Sequence, residues 1–420
     1  MPESPAINPD EIQVELDRED PPDRFYTITM PAHCVVQITE RLDAAGEPHE
    51  GERLRKLLTT ICIEEAVGRL EIESLWGPAP MAPEGEPGDP TKGDFIVRVA
   101  IDERPEVAWP AWNSFNFERP CMDISDAMVE AELTEQRLNA GERSETPGPL
   151  AVGEEAACEV CVTPDGSAGA EQPFTSTIRI PPSGQPAMVE GRPLPGLAEQ
   201  LIGAGVGDTV EAVCPGAGPG GGPLRVTAQI QQAWRVTPST IEEVVTALGM
   251  PNEAILRMNI RTSMEARFKD AQRAHLVDQV FTALAEQVDI PISNRILAVR
   301  LRERAGQMAQ KLQAAGHSRE ETIEIMKDAG PEQEAITRSH LKRNAIVNLI
   351  RPVFELGIAE QDVAAEIQKL AAAQGRRPED LRKEIVDANQ IDMVANRVFE
   401  QKIADRILAE ATVVDVPVAS

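Results

Sequence analysis

The strongest constraint on the fold of this chain is an abrupt change in composition at Pro238. Before this point glycine, proline, valine and threonine are frequent. After it alanine, leucine, isoleucine, glutamate and arginine dominate, and these residues form helices well or are compatible with them. The change predicts an all-helical segment over residues 238–413.

Capping residues mark the predicted helix boundaries in this segment. Ser-x-x-Glu spacings are typical of capping boxes at helix starts, and glycine or proline is typical of helix ends. The predicted capping boxes are Ser239 with Glu242 and Ser318 with Glu321, and the predicted stops include Gly249, Pro291, Gly330-Pro331 and Gly375. Among the predicted helices is a long one from about 252 to 288.

The first 140 residues carry mixed signals. Apolar residues at helical spacing over 51–73 predict a helix, and 95–101 has the composition of a strand. We expect a loose acidic terminus over 1–23, further strands at 24–28 and 33–38, a Pro/Gly loop over 77–92, and a helix that opens at Asp123-Ile-Ser-Asp126. The mixture predicts an α+β domain.

Residues 153–237 predict a small domain of mostly β character. Before it, 141–152 has the composition of a linker. The predicted strands are 156–162, 175–180, 209–214 and 224–231, with one helical turn at 198–202 and a glycine-rich loop at 215–223.

Charge restricts the possible partners. The chain of 420 residues has a formal net charge of −28, and residues 1–145 hold 13 Lys or Arg against 32 Asp or Glu. Such a surface repels nucleic-acid phosphate, so we expect no direct DNA binding. The start of the chain lacks the basic and apolar parts of a signal peptide, and no apolar run is long enough to span a membrane. We therefore expect no membrane partner and a cytoplasmic location.

Several stretches, in order, resemble one family. They are Pro193–Gly203 followed by Val206-Gly-Asp208, Trp234–Pro238, Asp289-Ile-Pro-Ile-Ser293, and the segment 63–137. The chain resembles the trigger factors, ribosome-associated chaperones that contain a prolyl-isomerase domain. The resemblance implies a multidomain α+β protein with three domains. They are a divergent ribosome-docking-type domain over 1–140, an FKBP-like prolyl-isomerase-type domain over 148–237, and a helical chaperone domain over 238–413.

The docking signature of that family is missing. Trigger factors dock on the ribosome through a Gly-Phe-Arg-x-Gly-Lys loop, and the nearest segment here is Gly51–Lys56, which lacks the phenylalanine and the second glycine. Arg53, Arg55 and Lys56 are the candidate ribosome contacts. They are equally compatible with the solvated face of a helix.

The resemblance also implies a peptide or prolyl pocket. Isomerase catalysis in that family needs apolar walls that desolvate the prolyl amide, with no nucleophile or proton transfer. The candidate wall residues are Phe174, Leu194, Leu197, Leu201 and Val226. Leu197 stands where the family usually has phenylalanine, so the pocket is depleted of aromatic side chains and no catalytic residue is assigned.

Other patterns predict no cofactor and no metal site. Cys158 and Cys161 have a C-x-x-C spacing, but they fall in a predicted strand with side chains on opposite faces. The histidines show no ligand spacing, and no phosphate-binding loop for ATP is present.

Three functional hypotheses follow. The first is an ATP-independent chaperone that holds unfolded or nascent polypeptides and assists their folding or export. The second is a peptidyl-prolyl cis-trans isomerase. The third is an interaction protein that has lost both ribosome docking and catalysis and serves a dedicated partner.

Overall fold

The structure of the chain is a computed structural model. The structure describes residues 11–46, 51–82, 89–146, 148–164, 173–182, 184–217, 222–314, 318–388 and 390–418. Helices and strands are both abundant, which confirms a mixed α and β protein. Two compact units are present. The first contains Met1–Arg119 and most of the chain after Arg273, and the second consists mainly of Pro120–Gln272.

The first unit begins with an antiparallel four-stranded sheet covered by two helices. The strands are β1 (Gln13–Asp20), β2 (Asp23–Met30), β3 (Ala79–Pro80) and β4 (Phe95–Asp102), in the order β1-β2-β4-β3, and the helices are α1 (Ala32–Ala45) and α2 (Gly51–Leu70). Side chains from β2, β4, α1 and α2 form one hydrophobic core. The predicted helix at 51–73 and strand at 95–101 are confirmed.

Two predictions for this region are wrong. Residues 33–38 lie in α1 instead of a strand, and 13–20 form β1 instead of a loose terminus. In α1 the buried residues are Cys34, Val35 and Ile38, which share one helical face. A short apolar run with β-branched residues does not distinguish strand from helix by its pattern, so packing against the sheet decides the outcome.

The rest of the first unit is largely helical. Its elements are β5 (Asn116–Cys121, shared with the second unit), the C-terminal part of α6 (Glu253–Gln287), α7 (Asn294–Ala314), α8 (Arg319–Ile350), α9 (Glu360–Ala373), α10 (Pro378–Asp387), α11 (Ile391–Leu408) and β13 (Thr412–Pro417). β13 pairs with β5. Phe115 and Phe117 are buried among side chains of α6, α8 and α11, and α9, α10 and the start of α11 form a smaller core.

Helix α8 contradicts the predicted stop at Gly330-Pro331. The helix continues through Pro331 for its full 32 residues. An internal proline removes one backbone hydrogen bond and costs about 3 kcal/mol. Burial of Leu341, Ile346 and Ile350 further along the same helix outweighs that cost.

The second unit contains a five-stranded antiparallel sheet. Its strands are β6 (Glu142–Glu145), β7 (Glu155–Pro164), β8 (Phe174–Arg179), β11 (Thr209–Cys214) and β12 (Leu224–Thr237). Between β8 and β11 lie β9 (Ala187–Val189) and β10 (Arg192–Leu194), which form a separate two-stranded sheet, and the short helix α4 (Leu197–Leu201). The order in the five-stranded sheet is β11-β12-β7-β8, and β6 pairs with the far end of β12. The four predicted strands are confirmed. The predicted linker 141–152 contains β6, and the predicted loop at 215–223 lies partly outside the described residues.

Three further helical elements belong to the second unit: α3 (Asp126–Asn139), α5 (Ile241–Ala247) and the N-terminal part of α6. Helix α3 starts where the sequence predicts, and Ser125 caps it. The capping box of α5 lies one residue later than predicted. The Thr240 Oγ1 accepts from the backbone N–H of Glu243 at 3.2 Å, and the Glu243 carboxylate accepts from the N–H of Thr240 at 2.8 Å. Ser239 instead donates to the carbonyl of Ala140.

Two buried carboxylates connect separate parts of the first unit. Asp102 accepts hydrogen bonds from the Ser74 hydroxyl and from the backbone N–H groups of the next two residues, each at 2.9 Å. Asp23 accepts from the Ser293 hydroxyl at 2.6 Å. Arg295 of α7 lies 3.5 Å from Asp23 and 3.7 Å from Asp102. The sheet, the segment after α2 and the start of α7 therefore share one polar network.

Replacement of Asp102 by alanine should destabilise the first unit. The Asp102→Ala variant leaves two backbone N–H groups and the Ser74 hydroxyl without this acceptor and removes one of the two carboxylates beside Arg295. We expect a loss of about 3 kcal/mol. Tryptophan fluorescence during urea unfolding reports the change, because the N–H of Trp76 is one of the donors. The matched control is Asp17→Ala, whose exposed carboxylate accepts only from Thr27 Oγ1 among the hydrogen bonds described here. Equal midpoints for the two variants would contradict the structural role of Asp102.

Candidate functional site

The helices of the first unit leave several large apolar side chains uncovered. Most of their apolar residues are buried in the two cores described above. Exposed exceptions, with the uncovered fraction of each residue, are Val299 (44%), Ile323 (59%), Val386 (55%), Ile391 (36%) and Met393 (63%). Apolar side chains of this kind are available to a partner, and flexible methionine suits a surface that accepts many sequences.

Three of these residues are close in sequence at the junction of α10 and α11. Val386 is near the end of α10, and Ile391 and Met393 are in the first turn of α11. On α10 the buried face carries Leu381 and Ile385, so Val386 is directed away from that core. We call Val386, Ile391 and Met393 the α10–α11 apolar set.

Helix α7 differs in charge from the chain as a whole. It holds five Lys or Arg residues and one acidic residue, Glu303, in a protein with a net charge of −28. Arg295 is used in the buried network, and Arg300 pairs with Glu303 at 2.8 Å. Helix α7 thus carries an exposed apolar side chain, Val299, together with several cationic side chains.

A cleft of about 520 Å³ is present in the first unit, but its lining is polar. Four of its charged side chains form two ion pairs: Arg24 lies 2.9 Å from Glu103, and Arg104 lies 3.2 Å from Glu73. Such a lining does not suit an apolar client segment.

The structure brings the five candidate prolyl-pocket residues together in the core of the second unit. Leu194, Leu197, Leu201 and Val226 are at most 1% exposed, and Phe174 packs against the same core while remaining half-buried. Gly196, at the start of α4, has a φ of 87°, which suits glycine and allows the turn that directs Leu197 inwards. The residues are neighbours as expected, but four of them serve as packed core.

Glu155 is the main buried charge of this unit. Its side chain is 4% exposed and lies 2.6 Å from Arg143 and 2.5 Å from Arg179. Burial acts to raise the pKa of Glu155, but hydrogen bonds from the two arginines outweigh it and hold the pKa below its usual range. Arg179 also donates to Glu135 and Asn139 of α3, so the network connects this helix to the sheet.

The candidate ribosome contacts lie in the first turns of α2. Arg53 and Lys56 are exposed and Arg55 is partly exposed, while Leu54 and Leu58 face the core. Lys56 pairs with Glu52 at 2.9 Å. The three cations therefore occupy the solvent side of an amphipathic helix, and their role in ribosome contact stays a prediction.

The C-x-x-C pair has the arrangement expected of a strand. Cys158 is fully buried in β7 and Cys161 is partly exposed, three residues further along. Burial raises the pKa of the Cys158 thiol to about 11, which does not favour a reactive thiolate. Among the described residues, every helix is too short or too polar to cross a bilayer.

Comparison with known proteins shows what the helical segment is similar to. A family model for the C-terminus of the bacterial trigger factor protein matches residues 254–409. The chain is 22% identical to the trigger factor of a Nocardioides species over 75% of its length, and 22% identical to that of a Parafrankia species over 76%. The chain therefore resembles a divergent trigger factor, most clearly over its helical segment.

The matched regions cover 67% and 64% of those two trigger factors, so the chain spans about two thirds of the length of these relatives. A solved trigger factor chaperone structure aligns with 95% of this chain and 99% of its own, at 16% identity and a TM-score of 0.39.

Sequence reasoning located the helical segment but not its uncovered side chains. Periodicity shows that a residue is apolar, and the fold decides whether a neighbour covers it. Met393 and Ile323 have the same sequence signal as the buried residues around them.

The Glu155 network predicts a loss of stability in acid. A group with a lowered folded-state pKa stabilises the protein above its unfolded pKa of about 4.3 and loses this effect as the pH falls through the folded-state pKa. Glu155→Gln should cost about 2 kcal/mol at neutral pH, and its deficit should shrink below about pH 4. Calorimetric unfolding over a pH series measures the difference.

Glu145→Gln is the matched control. Glu145 is exposed on β6 and lies opposite Trp234, and Glu155 is the other cross-strand neighbour of Trp234. This control should follow the wild type at every pH. A constant deficit of Glu155→Gln from neutral pH into acid would contradict the assignment.

The packed state of the candidate pocket predicts an absence of prolyl-isomerase catalysis. We expect the full chain to give no acceleration over the spontaneous rate in a protease-coupled proline-peptide assay, because Leu194, Leu197 and Val226 are covered. Leu197→Phe, which restores the aromatic residue usual in the family, is tested in parallel. Acceleration by the wild type that Phe174→Ala abolishes would show that the core opens and that this expectation is wrong.

Proposed function

We propose that this protein is an ATP-independent molecular chaperone of trigger-factor type, which holds unfolded or newly made polypeptides and assists their folding or export. The similarity of the chain to trigger factors supports this function. The observation that carries it is the set of exposed apolar side chains on the helices of the first unit, the α10–α11 apolar set above all.

Holding requires no chemical step. An unfolded client exposes apolar segments that aggregate when they meet one another. A helical surface with separated apolar groups covers such segments through many weak contacts, each of which can be exchanged. Because a side chain that becomes fully buried contributes about 1.5–3 kcal/mol, three partly exposed ones can hold a client reversibly.

The proposed organisation assigns holding to residues 238–413, a docking-type role to 1–140 and a spacer or auxiliary binding role to 148–237. The cytoplasm is the proposed location. Any contact with the ribosome through Arg53, Arg55 and Lys56 would rest on charge alone, because the docking loop of the trigger factors is absent from the sequence.

Loss of the α10–α11 apolar set should weaken chaperoning. The variant Val386→Ser, Ile391→Ser, Met393→Ser removes three exposed apolar side chains without opening the core. At about 1 kcal/mol for each partly buried group, client affinity should fall on the order of a hundredfold. Light scattering during refolding of a denatured test protein measures how much chaperone is needed to suppress aggregation.

The matched control replaces two apolar side chains that are equally exposed but lie on the sheet domain of the same unit. These are Val36 and Ile96, at 46% and 61% exposure. Val36→Ser, Ile96→Ser should suppress aggregation as well as the wild type. If the wild type does not suppress aggregation at modest molar excess, the chaperone proposal is wrong. Equal losses in both variants would instead reject the assignment to α10 and α11.

A further inference from the structure

Three side chains of different chemistry converge at the start of α1. The Glu11 carboxylate, the His33 imidazole and the Cys34 thiol place one potential ligand atom each within 4.8 Å of the others. Cys34 Sγ lies 3.3 Å from Glu11 Oε2 and 3.5 Å from His33 Nε2. His33 Nε2 and Glu11 Oε2 are in direct hydrogen-bond contact.

The backbone on both sides of this cluster is anchored. Next to Glu11, Ile12 is 1% exposed in the core of the sheet domain, and its carbonyl accepts from Arg69 Nη1 at 2.6 Å. Next to His33, the N–H of Ala32 donates to the Asp94 carboxylate at 2.9 Å. The three side chains therefore extend from fixed positions, which lowers the entropy lost when they hold a ligand together.

The separations suit a small tetrahedral ion. Zinc bonds of about 2.3 Å to sulfur and 2.0–2.2 Å to nitrogen and oxygen place two ligand atoms roughly 3.4–3.6 Å apart. The two contacts of Cys34 Sγ, at 3.3 and 3.5 Å, are close to this range. The imidazole and carboxylate would separate slightly, and the His33 side chain is 59% exposed and has room to do so.

The donor set identifies the class of metal. Thiolate and imidazole ligands favour zinc and similar transition metals, whereas calcium and magnesium require oxygen ligands. Three protein ligands leave a fourth tetrahedral position for water.

We propose that Glu11, His33 and Cys34 form a zinc-binding site. The bound ion cross-links the segment before β1 to the first turn of α1. The site is independent of the chaperone function and replaces the expectation from sequence that no metal binds. Sequence spacing gave no signal, because Glu11 precedes its two partners by more than 20 residues.

Cobalt(II) is the probe for this site, because cobalt bound to a thiolate has a sulfur-to-metal charge-transfer absorption. The metal-free full chain, kept reduced by a thiol-free reductant, is titrated with cobalt(II) and then with zinc. We expect one equivalent to produce the absorption and zinc to displace it. Zinc should also raise the unfolding temperature, since it binds the folded state.

Ligand variants decide whether these residues hold the ion. His33→Ala and Glu11→Gln should weaken binding by at least the roughly 10–100-fold that loss of even an indirect partner of a metal costs. Cys34→Ser should abolish the charge-transfer absorption. The matched control is Cys62→Ser, which changes a buried thiol of the same core outside the cluster and should leave binding intact.

Two results would overturn the proposal. One is the absence of a stoichiometric charge-transfer absorption in the wild type, which would leave only a hydrogen-bonded cluster. The other is unchanged binding in His33→Ala. This exposed replacement does not disturb the core, so it gives an answer even where Cys34→Ser fails to fold.

Discussion

The buried carboxylates of Asp23 and Asp102 impose the constraint on which the first unit depends. A buried charge is tolerated only when hydrogen bonds and an opposite charge replace the water it has lost. Here the replacements come from the segment after α2 and from Ser293 and Arg295 at the start of α7. Since these donors are far apart in sequence, the sheet domain reaches its polar balance only when the helical region is folded beside it.

Helix α11 carries both buried side chains, which stabilise the unit, and exposed side chains, which are free to contact a partner. Phe399, Ile403 and Ile407 of α11 are buried with Phe115 and Phe117 and hold the unit together. Met393, about two to four turns earlier on the same helix, is 63% exposed. One helix thus supplies both a rigid support and an uncovered apolar group, so client contact does not require the core to open.

Several features of the fold could be predicted from local chemistry. The helix at 51–70, the capping box at Ser318 and the strands of the second unit have strong period or capping signals. The exceptions are positions where tertiary contacts, and not local propensity, determine the secondary structure. Residues 33–38 become helical because one face packs on the sheet, and α8 passes through Pro331 because its later turns are buried. For the candidate prolyl-pocket residues, the sequence could predict that they lie close together, but it could not predict how deeply each is buried.

The discontinuous first unit has a consequence for synthesis. Phe115 and Phe117 are 3% exposed in the finished fold, yet their neighbours on α11 are translated almost 300 residues later. Until α11 has been synthesised, both rings lack the side chains that bury them in the finished fold. The same holds for the other apolar residues whose packing partners lie on the later helices. A growing copy of this protein therefore presents an apolar segment of the same kind that the completed one is proposed to hold.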